Sequence, residues 1–439
     1  MDQKRIAGLY AEHVEHLQAR YEGALAESGY DAVVIHSGTP QKRTEFDDQY
    51  WPLRATPEFM HWVPIVEPHC FVIVEPGKKA RVVWPIVKDF WERPAPPEST
   101  HFEAYLDVAR TDRLDLPQGK RVAWIGEDRA LAEKHGLREH ANPPALAKAL
   151  DALRTKKTPY EIECLAEANR RASRGHEAVK EAFGEGEAAE LDLHLLYLGA
   201  TRQDDHEAPY KNIVAMGKSA AILHHIAYGR DSSKAQSLLL DAGATCLGYN
   251  SDITRTWVRP SGGAGATFAG LVAAMEAMQK RLVAAVKVGM PYEQLHDESH
   301  RQVSAILKEA GIARASIDEI DHKGVSRVFY PHGLGHSLGL QTHDVGCALV
   351  KPRAENPFLR NTSKIEEGQV FTIEPGLYFI EPLLAELRQR PESAMIDWGL
   401  VESLAPFGGI RIEDDVFVHA SATRNMTREV LPIGGGNVI

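Results

Sequence analysis

Apolar positions at Ile6, Leu9, Tyr10, Val14, Leu17, Tyr21 and Leu25 recur at the spacing of one helical face, which predicts a helix over residues 5–28. The run at 31–36 then reads as a short buried strand. Two further apolar runs, at 70–74 and 80–84, flank Glu75-Pro-Gly-Lys-Lys79, the turn chemistry of a hairpin. A strand at 121–125 precedes helical stretches around 127–134 and 143–153. This alternation predicts a first α/β domain, residues 1–155.

Residues 154–159 are charged and end in a proline, which suits a linker. A long helix is expected next, with Thr158 as N-cap, Pro159 as its first residue and Glu161 three after the cap, running to about Phe183. Beyond it the chain reads as strand-rich, with two more helical stretches at 267–288 and 291–310. A loop containing Gly262, Gly263 and Gly265 is expected to open the first of these. No tandem repeat or low-complexity tract interrupts the second domain, residues 156–439.

The 439 residues are 44% apolar and 25% charged, which is ordinary for a chain that buries a real core. Lys and Arg total 50 against 61 Asp and Glu, a net charge of −11 that speaks against a nucleic-acid binder relying on a basic field. Four cysteines, none in a CxxC pair, do not form a disulfide framework and suit a reducing compartment. The charged N-terminus has no signal-peptide h-region, and no run of 18 apolar residues exists, so no membrane span is expected. These features predict a cytoplasmic protein.

Candidate chemistry gathers in four segments. Asp241 ends the run Ser237-Leu-Leu-Leu-Asp241, and Asp252 begins a strand in which Asp252, Thr254 and Thr256 share one face. A carboxylate closing an apolar run is costly to bury unless it is paired or metal-bound; taken alone, either aspartate also reads as a turn residue. His332, His336 and His343 fall within twelve residues of a glycine-rich loop, where glycines permit close backbone approach. Glu374 and Glu413 each end a β-branched apolar stretch, with Arg411 and Glu413 on the face opposite Ile410 and Ile412. Four carboxylates and one imidazole suit a pair of divalent ions near charge neutrality. Such an oxygen-rich set favours Mn²⁺, with Co²⁺ or Zn²⁺ as alternatives, and a water between two ions becomes a nucleophile near neutral pH.

Two other patterns carry less. Gly335-His-Ser-Leu-Gly339 has the spacing of a serine-hydrolase elbow, but no helix is expected after it. His296-Asp-Glu-Ser-His300 places histidines at i and i+4, without the HExxH spacing, and is expected to be a solvated helix face.

At these residues the chain resembles the pita-bread metallohydrolases: methionine aminopeptidase, aminopeptidase P, prolidase and creatinase. The ligand types Asp, Asp, His, Glu, Glu occur in the family's order. The stretches at 9–13, 46–52, 68–70, 209–214, 221–224 and 371–379 are most similar to bacterial Xaa-Pro dipeptidases (prolidases) and organophosphorus acid anhydrolase. The resemblance implies a creatinase-type N-terminal α/β domain followed by a pita-bread catalytic domain, an α/β (α+β) chain overall. Asp241, Asp252 and Glu413 would then bind one metal ion, and Asp252, His336, Glu374 and Glu413 the other, with a hydroxide spanning the pair. Glu374 would shuttle a proton; His343 and His224 would contact substrate and stabilise the tetrahedral intermediate. His332, Arg411, Tyr292, Leu359, Leu223 and Tyr210 match pocket positions. Arg360 matches an arginine that pairs with the substrate's C-terminal carboxylate, limiting substrates to Xaa-Pro dipeptides. The relatives' homodimer implies that Asp48, in the acidic aromatic loop Phe46-Asp-Asp-Gln-Tyr50, meets the substrate amine in the partner's site. Thr342 stands where the organophosphate-hydrolysing relative has a small apolar residue, which argues for organophosphate turnover as a side activity at most. Aminopeptidase P activity on longer peptides is the competing enzyme reading, and a non-catalytic pita-bread binder of a peptide or protein is the reading of another class.

Overall fold

The computed structural model describes residues 3–86, 91, 96–231, 234–259, 262–348 and 350–431. By internal contacts the chain divides into two units: residues 1–164 with 246–249, and residues 165–245 with 250–439.

In the first unit, helix α1 (Gln3–Ser28) buries Ile6, Tyr10, His13, Leu17, Tyr21 and Leu25. Those positions are spaced three or four apart, so one stripe faces inward; Leu9 and Val14 sit at its edge, half-buried. Strands β1 (Ala32–His36), β2 (Phe71–Val74), β3 (Arg81–Trp84), β4 (Asp107–Arg110) and β5 (Val122–Ile125) form a mixed sheet of order β4-β3-β2-β1-β5. The hairpin read from Pro76 and Gly77 is the antiparallel β2–β3 pair, with Val72 opposite Val82. One face of the sheet packs Val34, Ile73, Val83, Val122 and Trp124 together, and the short helices α2 (Pro57–Met60) and α3 (Arg129–Lys134) and helix α4 (Pro144–Leu153) complete the unit. Behind α1 lies a buried polar knot. His13 binds Thr158 Oγ1 at 2.7 Å through Nδ1 and the His61 carbonyl at 2.9 Å through Nε2, while Glu161 accepts from the Thr158 amide and the Tyr249 hydroxyl.

Helix α5 (Pro159–Glu185) begins at the expected cap: Glu161 Oε2 accepts from the Thr158 amide at 2.8 Å. Helix α6 (Glu190–Thr201) follows. The second unit is then built on small antiparallel sheets. Strands β6 (Ile213–Met216), β7 (Ser237–Asp241) and β10 (Thr254–Val258) pair in the order β10-β7-β6, and the short β8 (Thr245–Cys246) and β9 (Tyr249–Asn250) form the hairpin between β7 and β10. The three consecutive leucines of β7 are explained by burial on both faces. Leu238 and Leu240 pack with Trp257, Val179, Phe183 and Tyr197, whereas Leu239 packs with Ile213 and Tyr378. Helices α7 (Gly262–Ala285) and α8 (Tyr292–Glu309) cover β11 (Val370–Ile373), β12 (Gly376–Tyr378), β13 (Gly409–Arg411) and β14 (Asp414–Val418). The core here joins Leu271, Met275 and Leu282 to Ile373, Leu377, Ile410, Ile412 and Val416. Strand β15 (Thr423–Asn425) edges β14.

Three sequence expectations are corrected. The Gly262–Gly265 segment is not a loop but the first turn of α7. The second unit also holds α6 and the short helices α9 (Ile317–His322), α10 (Val325–Phe329), α11 (Glu381–Gln389) and α12 (Trp398–Leu404), most of them too brief to show a 3.6-residue period. His296 and His300 are not solvated: both are 2% exposed, because α8 packs against α7, α9 and α10 and their rings lie against Tyr330.

Candidate metal centre

The second unit brings the two aspartates, the loop histidine and the two glutamates together, Glu374 half-buried and the other four buried. Strand pairing sets the first part of it. Thr254 lies opposite Asp241 in the β10–β7 register, and the Glu413 amide donates to the Thr254 carbonyl at 3.0 Å, so Asp241, Asp252 and Glu413 converge at one sheet end. The glycine loop is then laid on β11. The His336 amide donates to Thr372 Oγ1 and the Thr372 amide to the His336 carbonyl, while the Glu374 amide donates to the Leu334 carbonyl. Gly335 is required for this approach, since a Cβ there would stand 2.1 Å from the Thr372 carbonyl oxygen.

Ligand atoms of Asp252, His336 and Glu413 all lie within 4.8 Å of one another, and all three residues are buried. His336 Nε2 is 3.3 Å from Asp252 Oδ2, 3.8 Å from Glu374 Oε1 and 4.0 Å from Glu413 Oε1. Its Nδ1 contacts the Ser337 carbonyl at 3.0 Å, which fixes the tautomer that turns Nε2 toward the acids. Asp241 is held by Arg411 Nη2 at 2.5 Å and by the Tyr210 hydroxyl at 2.7 Å; the same hydroxyl reaches Asp252 at 2.5 Å. Glu413 accepts from Thr254 Oγ1 at 2.7 Å.

The electrostatics fit a cation. Burial pushes the Glu374 carboxyl up to about 7, and Asp252 and Asp241 add to the push. Asp252 is raised by burial and by the Asp241 charge, and Glu413 well above its usual range by burial, Asp252 and Glu374. Against its burial, His336 is pushed up to about 9 by Asp252 and Glu374. Buried acids that resist ionising together, gathered around an imidazole that they hold protonated, make a site that calls for positive charge, and its donor set matches a divalent metal centre.

Around the cluster, the His343 ring lies 4.4 Å from that of His336, and burial, His336, Arg360 and His224 hold it neutral, down to about 3. His332 Nδ1 meets the Gly333 carbonyl at 2.9 Å and its Nε2 the Tyr378 hydroxyl at 2.8 Å; burial and Arg411 bring it to about 3. Arg411 Nη1 donates to the same hydroxyl at 2.9 Å, so Tyr378 accepts from Arg411 and donates to His332. Leu359 is buried, Arg360 and His224 are exposed, and Leu223 packs beside Tyr378. Tyr292 is fully buried with its hydroxyl bound to the Thr372 carbonyl at 2.8 Å, so it lies beneath the glycine loop. Asp48 is exposed and belongs to the first unit.

Sequence reasoning missed Tyr378 and Thr254 as polar partners of the site. Tyr378 carried a usable signal: it lies two residues after Gly376 on β12, and a Cβ at Gly376 would collide with its ring. Asp415 gave none. It accepts the Asp252 amide at 3.1 Å and a bond from Asn169 at 2.8 Å, contacts across more than 160 residues.

Residues 163–420 match the model of metallopeptidase family M24, and residues 8–152 that of the Xaa-Pro dipeptidase N-terminal domain. The chain is 39% identical to a Xaa-Pro dipeptidase of Pseudoalteromonas atlantica, covering 97% of this chain and 99% of that one. It is 40% identical to that of Aeromonas hydrophila, covering 96% and 98%. Among solved structures it resembles Zn-substituted E. coli aminopeptidase P in complex with product (TM-score 0.70, 21% identity, 95% of both chains). It also resembles the Pseudomonas aeruginosa aminopeptidase PepP (TM-score 0.71, 22% identity, 95% of both chains); at these identities the likeness speaks for the fold.

Proposed function

The chain belongs to metallopeptidase family M24, and from that premise we propose that it is a Xaa-Pro dipeptidase, cleaving dipeptides that end in proline. It is a metal-dependent hydrolase. The observation that supports the dipeptidase reading most is near-full-length identity of about 40% to Xaa-Pro dipeptidases, joined to a buried Asp252–His336–Glu413 cluster. In this reading Asp241, Asp252 and Glu413 hold one ion, and Asp252, His336, Glu374 and Glu413 the other. The acid-rich set favours Mn²⁺. Such a pair, when bound, lowers the pKa of water and polarises the scissile carbonyl.

The chain's own groups do the rest. Glu374 takes a proton from the attacking water and returns it to the proline nitrogen as the C–N bond breaks. His343, held neutral, and His224 donate to the carbonyl oxygen as charge develops on it. Arg411 and Tyr378 keep Asp241 and His332 in place. Tyr210, Leu223 and Leu359 shape the pocket, and Tyr292 supports the glycine loop from beneath. Arg360, exposed beside His343, pairs with the substrate carboxylate and so selects length.

The N-terminal domain is taken as residues 1–155 and the catalytic domain as 156–439. We assign the active form to a homodimer in which Asp48 meets the substrate amine in the partner's site; the exposed Phe46 and Trp51 beside it support an interface there. A monomer in sedimentation with full dipeptidase activity would refute this. The four cysteines are buried thiols, which suits a cytoplasmic location. Turnover of Ala-Pro against Ala-Pro-Ala with Mn²⁺ added, alongside metal analysis, tests the whole reading. Strong preference for the dipeptide with about two ions per chain is expected. Preference for the tripeptide would favour aminopeptidase P activity, and metal-free inactivity on both would favour a binding protein.

A further inference from the structure

The segment between β6 and β7 carries Leu223 and His224, and among its described residues the regular structure is a short 3₁₀ turn, Gly217–Ala221. Both Leu223 and His224 stand on it with solvent nearby, and Ile222 and Ile226 on either side are 57% and 46% exposed. Apolar packing holds it at Ala220, Leu223 and Tyr228. A single carboxylate adds polar ties between these points. Glu190, the first residue of α6, is 6% exposed. Its Oε1 accepts from the Met216 amide at 2.8 Å, where the segment leaves β6. Its Oε2 accepts from the Gly229 amide at 2.8 Å and meets His225 Nε2 at 2.8 Å. The Leu191 amide returns a bond of 3.1 Å to the Gly229 carbonyl. The chain at Met216, His225 and Gly229 is thus tied to one buried acid.

We propose that Glu190 is a positioning residue for the reaction: through His225 and the Met216 and Gly229 amides it holds the backbone that presents His224 to the substrate. The inference rests on the reading of His224 as a substrate contact. Burial pushes the Glu190 carboxyl up, but the Gly229 and Met216 amides and His225 outweigh it and keep the group ionised. Three donors converge on two oxygens. An amide in place of the carboxylate would aim N–H groups at one of those donors, so a neutral isostere cannot satisfy the arrangement. Bonds to a charged acceptor are also the stronger kind. Glu190 bonds to the Met216 and Gly229 amides and to His225, none of them an acid of the metal cluster, which separates its role from metal binding.

The test is a mutant cycle with a direct look at the segment. Glu190→Gln is expected to lower kcat/KM on Ala-Pro by about tenfold or more, the value of one charged hydrogen bond, with metal content unchanged. His225→Leu should fall in the same direction, and His225→Gln, which keeps a donor, should recover most of the loss. In a His224→Ala background Glu190→Gln should add little, because the two act through one element. Equal losses in both backgrounds overturn the proposal. Hydrogen exchange of the metal-loaded protein gives the readout that needs no substrate. Peptides over residues 216–230 should exchange faster in Glu190→Gln while α7 and α8 keep their protection. Unchanged exchange overturns the anchor even if the protein proves not to hydrolyse Ala-Pro. Wild-type inactivity with the exchange effect intact faults the dipeptidase reading alone.

Discussion

At the scale of the residue, charge decides more than size. Asp252 stands 3.3 Å from His336 and is one of three buried groups whose ligand atoms share a 4.8 Å span. Asp252→Asn keeps the shape and removes the charge. It should abolish activity, a loss beyond the ~10–100-fold typical of outer partners, and reduce the metal found by elemental analysis; wild-type turnover with full metal content would sink the assignment. Arg360 is the complementary case, an exposed cation near His343. A charged hydrogen bond is worth roughly 1.5–3 kcal/mol, about 10- to 150-fold. Arg360→Ala should therefore weaken Ala-Pro hydrolysis by about that factor, largely through KM, and narrow the dipeptide-to-tripeptide ratio without loss of metal. A ratio that stays where it was would remove Arg360 as the carboxylate anchor.

At the scale of the element, the glycine loop and β11 act as one piece. Thr372 bonds to the His336 backbone from both sides, and the Tyr292 hydroxyl holds the Thr372 carbonyl from beneath. A methyl at Gly335 would meet that carbonyl oxygen at 2.1 Å and the Tyr292 hydroxyl at 2.4 Å. Gly335→Ala should cost at least the roughly 1–3 kcal/mol of an overpacked core, seen in urea unfolding, and should weaken metal retention because His336 moves with the loop. Unchanged stability would mean the loop can lift off β11 freely. This arrangement was only partly legible beforehand. The three glycines and three histidines of residues 331–344 announced an unusual loop, but not the strand it lies on, since that contact joins residues some 36 apart. Gly262 and Gly263 misled in the other direction: both are exposed, and they open a helix whose buried face, from Gly265 and Phe268 onward, holds it in place despite their poor helix propensity.

At the scale of the whole molecule, the first unit carries its own response to acid. Burial brings His13 down to about 4, against the charge of Glu161, which itself lies below the ordinary range because its contacts with His61, His13 and Lys157 outweigh its burial. Between pH 6.5 and 4 the unfolded chain takes up a proton that the folded His13 refuses. Stability therefore falls as pH drops through that window, by up to roughly 3 kcal/mol, and is flat above it. Glu161 acts in sequence: its contribution is present above about pH 4.5 and is lost on further acidification. His13→Leu should flatten the slope of unfolding free energy between pH 6.5 and 4, measured by denaturant titration at several pH values. A slope equal to wild type would show that His13 is not buried and neutral.

The sequence by itself determined whatever repeats over short distances. Helix α1 and the β2–β3 hairpin follow from periodicity and turn chemistry, α5 from the Thr158–Glu161 cap, and the family from the order of Asp241, Asp252, His336, Glu374 and Glu413. Only the tertiary structure decided what depends on contacts between distant segments. It buried His296 and His300, which local polarity placed in solvent. It joined Arg411 to Asp241 across 170 residues and Asp415 to the Asp252 amide across 163. It also made Glu190 the common acceptor of three loop donors. Hydrophobic period and capping are written in neighbouring residues, whereas the partner of a buried charge is set by which strands pair, and pairing is a property of the folded chain.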